Sequence, residues 1–196
     1  MTDASLREAT VEELFVRSGA LLDGHFVLKS GRHAGRYLEK FLVLQHPAMG
    51  VEICRRLAGA LATYRPTLVV GPTTGGVLLS FETARQLGGS VRAAFAEPVP
   101  SGGRALRRGW PVAPDEHVAL VDDILTTGAS LFETVEAVRA AGVEPVAAAV
   151  IVDRSTAPVD LGSPLHALGS IDIPSWDASA CELCASGVQL TKRVSS

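Results

Sequence analysis

The sequence predicts an α/β fold with a central, mostly parallel sheet flanked by helices, and three observations carry that prediction. Short apolar runs recur at residues 68–70, 91–96, 117–121 and 146–152. Such runs suit strands buried on both faces. Helical patterns stand between them: 77–87 stops at Gly88, and Leu131, Val135 and Val138 share one face of a helix that stops near Gly142. Strands alternating with helices imply parallel pairing. The third observation is the stretch from Val118 to Ser130, where an apolar run ends in Asp122 and Asp123 and a Thr/Gly/Ser turn opens the next helix. Open α/β sheets bind ligands at that carboxyl edge.

The remaining elements follow in order. Residues 5–18 read as one helix, with Thr10 and Glu13 at capping-box spacing inside it and Gly19 near its end. Phe26 to Lys29 reads as a strand before a turn at Ser30 and Gly31, and 37–44 as a second short strand. A helix is expected from Pro47 to about Ala62, since Pro suits a first helical turn. Residues 97–109 break all periodicity. Near the end, 165–173 reads as a strand, and nothing beyond Pro174 has a clear pattern.

Composition narrows the function. A chain of 196 residues suits one domain, with 47% hydrophobic and 20% charged residues typical of a globular protein. A net charge of −3 gives no basis for broad nucleic-acid binding. No apolar run is long enough for a membrane span, and the N-terminus lacks a signal-peptide pattern, so the expectation is a cytoplasmic protein. Three cysteines argue against a disulfide framework. Cys181 and Cys184 form a lone C-x-x-C, and with no second cysteine pair the favoured reading is two cysteines in a terminal helix or loop, with an intersubunit metal or a redox pair as the weaker alternatives. The chain has no asparagine and only three lysines (Lys29, Lys40 and Lys192) against fifteen arginines.

Site chemistry comes from the strand ends. Asp122 and Asp123 suit the hydroxyls of a sugar. The turn Thr126-Thr127-Gly128-Ala129-Ser130 offers hydroxyls and amides at a helix N-terminus, which suits a phosphate. Thr73, Thr74, Gly75 and Gly76 form a second anion loop on a neighbouring strand. Residues 97–109 carry Arg104, Arg107 and Arg108 against a single acid, Glu97, with no obvious apolar anchor. A long Gly/Pro loop with clustered arginines is uncommon as a mere connection and suits a mobile lid over an anionic group.

The stretch 118–130 resembles the phosphoribosyl pyrophosphate motif of type I phosphoribosyltransferases. Leu28-Lys29-Ser30-Gly31, with His33 and Tyr37 after it, is similar to the base-binding element of orotate phosphoribosyltransferases, and Val43-Leu44-Gln45-His46-Pro47 to their shorter bacterial and archaeal forms. The resemblance continues through 71–76, 97–109 and Val152-Asp153-Arg154, covering nearly the whole chain. It implies the type I phosphoribosyltransferase fold as a single domain over 1–196, with a hood from about 20–45 and 160–196 and a lid at about 97–109. The implied reaction joins orotate to phosphoribosyl pyrophosphate, giving orotidine 5′-monophosphate and pyrophosphate in de novo pyrimidine synthesis. Asp122, Asp123, Arg104, Arg107 and Arg108 are then the catalytic candidates, and Lys29, Tyr37, Thr126 and Arg154 the orotate contacts. Thr73, Thr74, Gly75, Gly76, Asp122, Asp123 and 126–130 take phosphoribosyl pyrophosphate. Mg²⁺ is the implied cofactor, held mainly by substrate, with the acid pair reaching it through water. A homodimer is implied, with neither nucleic acid nor membrane as partner. Two alternatives stay open: transfer to another base, or a regulator that binds phosphoribosyl pyrophosphate with little catalysis. The chain departs from the family pattern at Gly75, where many members have lysine, and at Glu97-Pro98-Val99-Pro100, where many have lid lysines.

Overall fold

The computed structural model describes residues 3–28 and 30–191. The expected N-terminal helix is two, α1 (Asp3–Glu8) and α2 (Val11–Arg17). The break falls at Thr10 because the capping box forms there. Its hydroxyl accepts from the Glu13 amide at 3.1 Å, and its own amide donates to the Glu13 carboxylate at 2.7 Å. A formed box starts a helix, so it cannot lie inside one. Thr10→Ala is expected to cost about 1 kcal/mol, seen as a lower denaturation midpoint with unchanged slope.

Next come β1 (Leu21–Val27) and β2 (His33–Leu38), an antiparallel pair whose register shifts between Asp23 and Phe26. The second strand was expected at 37–44. It comes earlier, and the chain turns into α3 (Lys40–Leu44), because β1 offers no partner beyond the Leu21–Leu38 pair. Glu39 caps α3 by accepting from the Phe41 amide, and Val43 enters the core. Helix α4 (Pro47–Leu61) begins on its proline as expected.

The central unit follows: β3 (Leu68–Pro72), α5 (Gly75–Leu87), β4 (Arg92–Pro98), β5 (Arg104–Ala105), β6 (Val118–Leu125), α6 (Ala129–Arg139), β7 (Pro145–Asp153) and β8 (Leu165–Ser170). The tail adds β9 (Ser175–Trp176) and α7 (Glu182–Ala185). Among the described residues the strands form a six-stranded sheet in the order β5-β4-β3-β6-β7-β8 and a small antiparallel sheet, β1-β2-β9. All pairs in the large sheet are parallel except β4–β5.

The continuous apolar runs are explained by two cores, one on each sheet face. Val69, Ala119, Val121, Ala147, Ala149 and Ile151 face α1, α2, α4 and α5. Leu68, Val70, Val118, Leu120, Ala148 and Val150 face Leu131, Val135 and Val138 of α6. With both faces covered, no position along these strands can be polar without cost until the sheet edge is reached.

Residues 97–109 form a hairpin, with Glu97 opposite Ala105 and Pro98 opposite Arg104. The expected lack of an apolar anchor is corrected: Leu106, Trp110 and Val112 pack on the α6-side core, and Trp110 meets Phe95 edge-on at 4.7 Å. Leu106 lies between Arg104 and Arg107, and Trp110 and Val112 follow the last arginine. No helix among the described residues is long and apolar enough to cross a membrane.

Candidate functional site

From β3 the chain proceeds outward to β4 and β5 on one side, then returns to β6, β7 and β8 on the other. The switch between β3 and β6 is where an open α/β sheet leaves a crevice at its carboxyl ends. Here β3 stays paired with β4 as far as Pro72–Ala96, while its pairing with β6 stops at Val70–Leu120. The sheet therefore parts just before Asp122 and Asp123.

Both acids are buried, at 5% and 4% exposure. Asp122 accepts from the Asp123 amide at 2.8 Å and from the Ser130 hydroxyl at 2.5 Å. Asp123 accepts from the Ile124 amide at 2.8 Å. Its other oxygen lies 2.7 Å from the Lys40 ammonium and takes no further hydrogen bond among the described residues. Burial, and then the neighbouring charge of Asp123, push the Asp122 carboxyl up to about 6, while Ser130, the Asp123 amide and Lys40 pull the other way. Two buried carboxylates held this way have acceptor capacity to spare, which suits sugar hydroxyls and the water shell of a cation.

Gly75 shows why this chain carries no side chain there: an added Cβ would lie 2.4 Å from the Asp123 carboxylate. A lysine at that position would have to displace the acid. The 71–76 loop leads from β3 into α5, and the peptide between Thr73 and Thr74 is cis. On the neighbouring strand, Thr126 and Thr127 stand exposed beyond β6. Gly128 there has φ +77° as the N-cap of α6, and a Cβ would meet Val159 at 2.7 Å. Ala129 and Ser130 complete the turn, with the Ala129 amide reaching the Thr127 hydroxyl at 3.4 Å.

The three arginines of the hairpin have different settings. Arg104 donates to the Thr73 carbonyl, the Thr73 hydroxyl and the Ala96 carbonyl, each at 3.2 Å, and pairs with Glu133 of α6. It fastens the hairpin to the 71–76 loop. Arg108 makes a two-armed pair with Glu97 at 2.7 and 2.9 Å. Arg107 has no ion pair among the described residues, and it lines a cavity of about 160 Å³ with Glu97 and Arg108.

Arg154 directly follows β7, and its amide donates to the Leu125 carbonyl of β6. Its guanidinium is partly buried, and its Nε has no hydrogen-bond partner among the described residues. Burial lowers its pKa, offset in part by the charge of Asp172. A desolvated cation with an unused donor is suited to an anionic ligand.

The sheet edge thus carries the 71–76 loop, Asp122, Asp123, 126–130 and Arg154, with Arg104 beside it. Tyr37 lies instead on β2, its ring 5.5 Å from that of Phe26. Lys29 lies outside the described residues. Lys40 was missed by sequence reasoning. It is the first residue of α3, and its only signal was rarity, one of three lysines in the chain.

Comparisons with known proteins give the family and the fold. Residues 43–162 match the family model described as the phosphoribosyl transferase domain. The chain is 44% identical over 179 residues to an orotate phosphoribosyltransferase of Pelotomaculum thermopropionicum, covering 91% of this chain and 93% of that protein. It is 40% identical over 182 residues to the orotate phosphoribosyltransferase of Thermotoga maritima, covering 93% and 96%. The crystal structure of orotate phosphoribosyltransferase from Aeropyrum pernix is similar with a TM-score of 0.68 at 27% identity, covering 83% of this chain and 94% of that one.

Proposed function

The chain belongs to the phosphoribosyltransferase family, and we propose on that premise that it is an orotate phosphoribosyltransferase. It transfers phosphoribosyl from phosphoribosyl pyrophosphate to orotate, giving orotidine 5′-monophosphate and pyrophosphate in de novo pyrimidine synthesis. The relatives that match over most of their length carry that name. One observation supports the reading above others: a buried acid pair at the β3/β6 switch point, with two anion-binding turns and a desolvated arginine on the same sheet edge.

Asp122 and Asp123 hold the ribose hydroxyls, and 126–130 wrap the 5′-phosphate at the N-terminus of α6. Thr73, Thr74, Gly75 and Gly76 take the pyrophosphate. Arg154 grips the orotate carboxylate with its planar fork, and Lys29, Tyr37 and Thr126 complete the base site. The bond to pyrophosphate breaks as positive charge grows on the ribose ring and negative charge on the leaving group. The acid pair stabilises the first, and Arg104, Arg107 and Arg108 the second. With the incompletely satisfied Asp123 carboxylate, the acid pair suits Mg²⁺ carried in by substrate, contacted through water. That cation, when bound, adds positive charge against the pyrophosphate. Lys40 balances Asp123.

The protein is read as a cytoplasmic homodimer, with β1-β2-β9 as a hood and the 97–109 hairpin as a mobile lid. Exposed Leu78 and Phe81 on α5, at 54% and 67% exposure, support a subunit contact.

The test is orotate consumption with phosphoribosyl pyrophosphate and Mg²⁺, followed by absorbance, against a panel of other bases. Activity on a purine alone would overturn the reading. Within that assay Arg154→Ala is expected to weaken orotate by roughly 10- to 100-fold, the value of a lost charge-assisted contact of about 1.5–3 kcal/mol. Binding of phosphoribosyl pyrophosphate should not change. Wild-type orotate affinity in this variant would show that the base site lies elsewhere.

A further inference from the structure

We propose that His25, His33, Cys181 and Cys184 form a structural zinc site that clamps the C-terminal tail onto the β1–β2 hairpin. This inference does not rest on the enzymatic reading. The C-x-x-C lacks a second cysteine pair in the sequence, but folding supplies two histidines in its place. The four candidate donor atoms all lie within 4.8 Å of one another. His25 Nε2 is 2.9 Å from His33 Nδ1, 3.4 Å from Cys181 Sγ and 3.8 Å from Cys184 Sγ. Cys184 Sγ is 3.4 Å from His33 Nδ1. A tetrahedron with Zn–N near 2.0 Å and Zn–S near 2.3 Å has N···N edges of about 3.3 Å and N···S edges of about 3.5 Å. The side chains are therefore arranged as the corners of one ion's coordination shell.

Three further features fit. The outer ring nitrogen of His25 lies 2.7 Å from the Val188 carbonyl. As a donor there it leaves Nε2 with its lone pair facing the cluster, the arrangement that orients a metal-bound histidine. Cys181 and Cys184 bracket the first turn of α7, where three-residue spacing puts both sulfurs on one side. The cysteines are free rather than paired, with Cys181 at 3% exposure and His25 at 1%. On binding, both thiols release their protons, and two thiolates cancel the charge of Zn²⁺, so no net charge is buried.

Four protein ligands leave no open position, which marks a structural site. Such an ion would add to the ties the tail already has. Beyond Pro174 the tail meets the hairpin through the two pairs of β9 with β2, the contacts of Arg32 with Ser175 and Asp177, the His25–Val188 contact and the exchange of hydrogen bonds between His25 and Thr191. His25 and His33 lie either side of the 28–32 turn, so one ion would fix that turn and the tail together.

The experiment is metal analysis of the full chain purified without chelator, with Co²⁺ exchanged in as a spectroscopic probe. About one zinc per chain and a thiolate-to-Co²⁺ charge-transfer band are expected. Cys184→Ser, at the exposed ligand, should lower zinc affinity by more than 10²-fold and weaken that band, with circular dichroism confirming a folded chain. Cys54→Ala, at a cysteine distant from the cluster in the fold, should keep the metal. If Cys184→Ser does not fold, the wild-type measurements decide alone. The proposal is overturned if the folded wild type holds less than about 0.2 zinc per chain and takes up none when zinc is added. It is equally overturned if no charge-transfer band forms, if Cys184→Ser binds as tightly as wild type, or if Cys181 and Cys184 form a disulfide that excludes the metal.

Discussion

Replacing Asp122 and Asp123 together by Asn is expected to leave a folded protein whose turnover is lowered by roughly 10²- to 10³-fold, the scale of losing electrostatic stabilisation in a water-poor site. Asn fills the same space and can accept from Ser130 and the backbone amides, so the fold has no reason to fail. The single change Asp122→Asn carries a sharper signature. The Asp122 carboxyl is pushed up to about 6 by burial and by Asp123, whereas in an unfolded chain it titrates near about 3.9. Between those values the folded state holds a proton that the unfolded state has released. Stability therefore falls as pH rises through this window, and the loss persists above it. Asp122→Asn should melt higher than wild type above pH 6, with the difference vanishing below about pH 4. In the wild type, kcat/KM should rise with pH through an ionisation near 6. Low melting with full specific activity in the double variant would show that the pair is structural.

The second large effect is expected at Arg107. It has no ion pair among the described residues, so its charge is available to a leaving pyrophosphate without breaking a contact. Arg107→Ala should lower turnover by roughly 10²-fold. Arg108→Ala should do less, because Arg108 already pairs with Glu97. Arg104→Ala should loosen the hairpin, since that side chain ties it to Thr73 and Glu133. The 97–109 segment has no lysine, so turnover should show no lid-lysine ionisation between about pH 7 and 10. If each lid serves the other subunit, hybrids of the double Asn chain with the Arg107→Ala chain will regain activity. Full turnover in all three arginine variants would remove the hairpin from the mechanism.

Much of this was legible because local chemistry and the fold agree. The buried strands were visible as unbroken apolar runs, since both sheet faces are covered. The acid pair stood out because such a run tolerates no charge except where it meets a ligand or the sheet edge. The α6 face was written in the spacing of Leu131, Val135 and Val138. Reading failed where a local signal had two meanings. Thr10 and Glu13 signalled a helix start but sat within a longer helical pattern. Residues 37–44 carry enough apolar side chains for a strand, yet β1 pairs only with Tyr37 and Leu38 of them and leaves 39–44 no partner.

The sequence by itself determined the α/β class, through the alternation of apolar runs and helical patterns from 68 to 152, and the strand that carries Asp122 and Asp123, the two glycine-containing turns and the arginine after β7, because each of these is encoded within a dozen adjacent residues. Only the tertiary structure decided which side chains meet across the chain. It set Lys40 against Asp123, tied Arg104 to Thr73 and Glu133, and left Arg107 without an ion pair among the described residues. It also brought His25 and His33 to Cys181 and Cys184, across 148 to 159 positions of sequence. No local pattern records such a meeting, because it depends on sheet order and on the angle at which the tail returns to the hairpin.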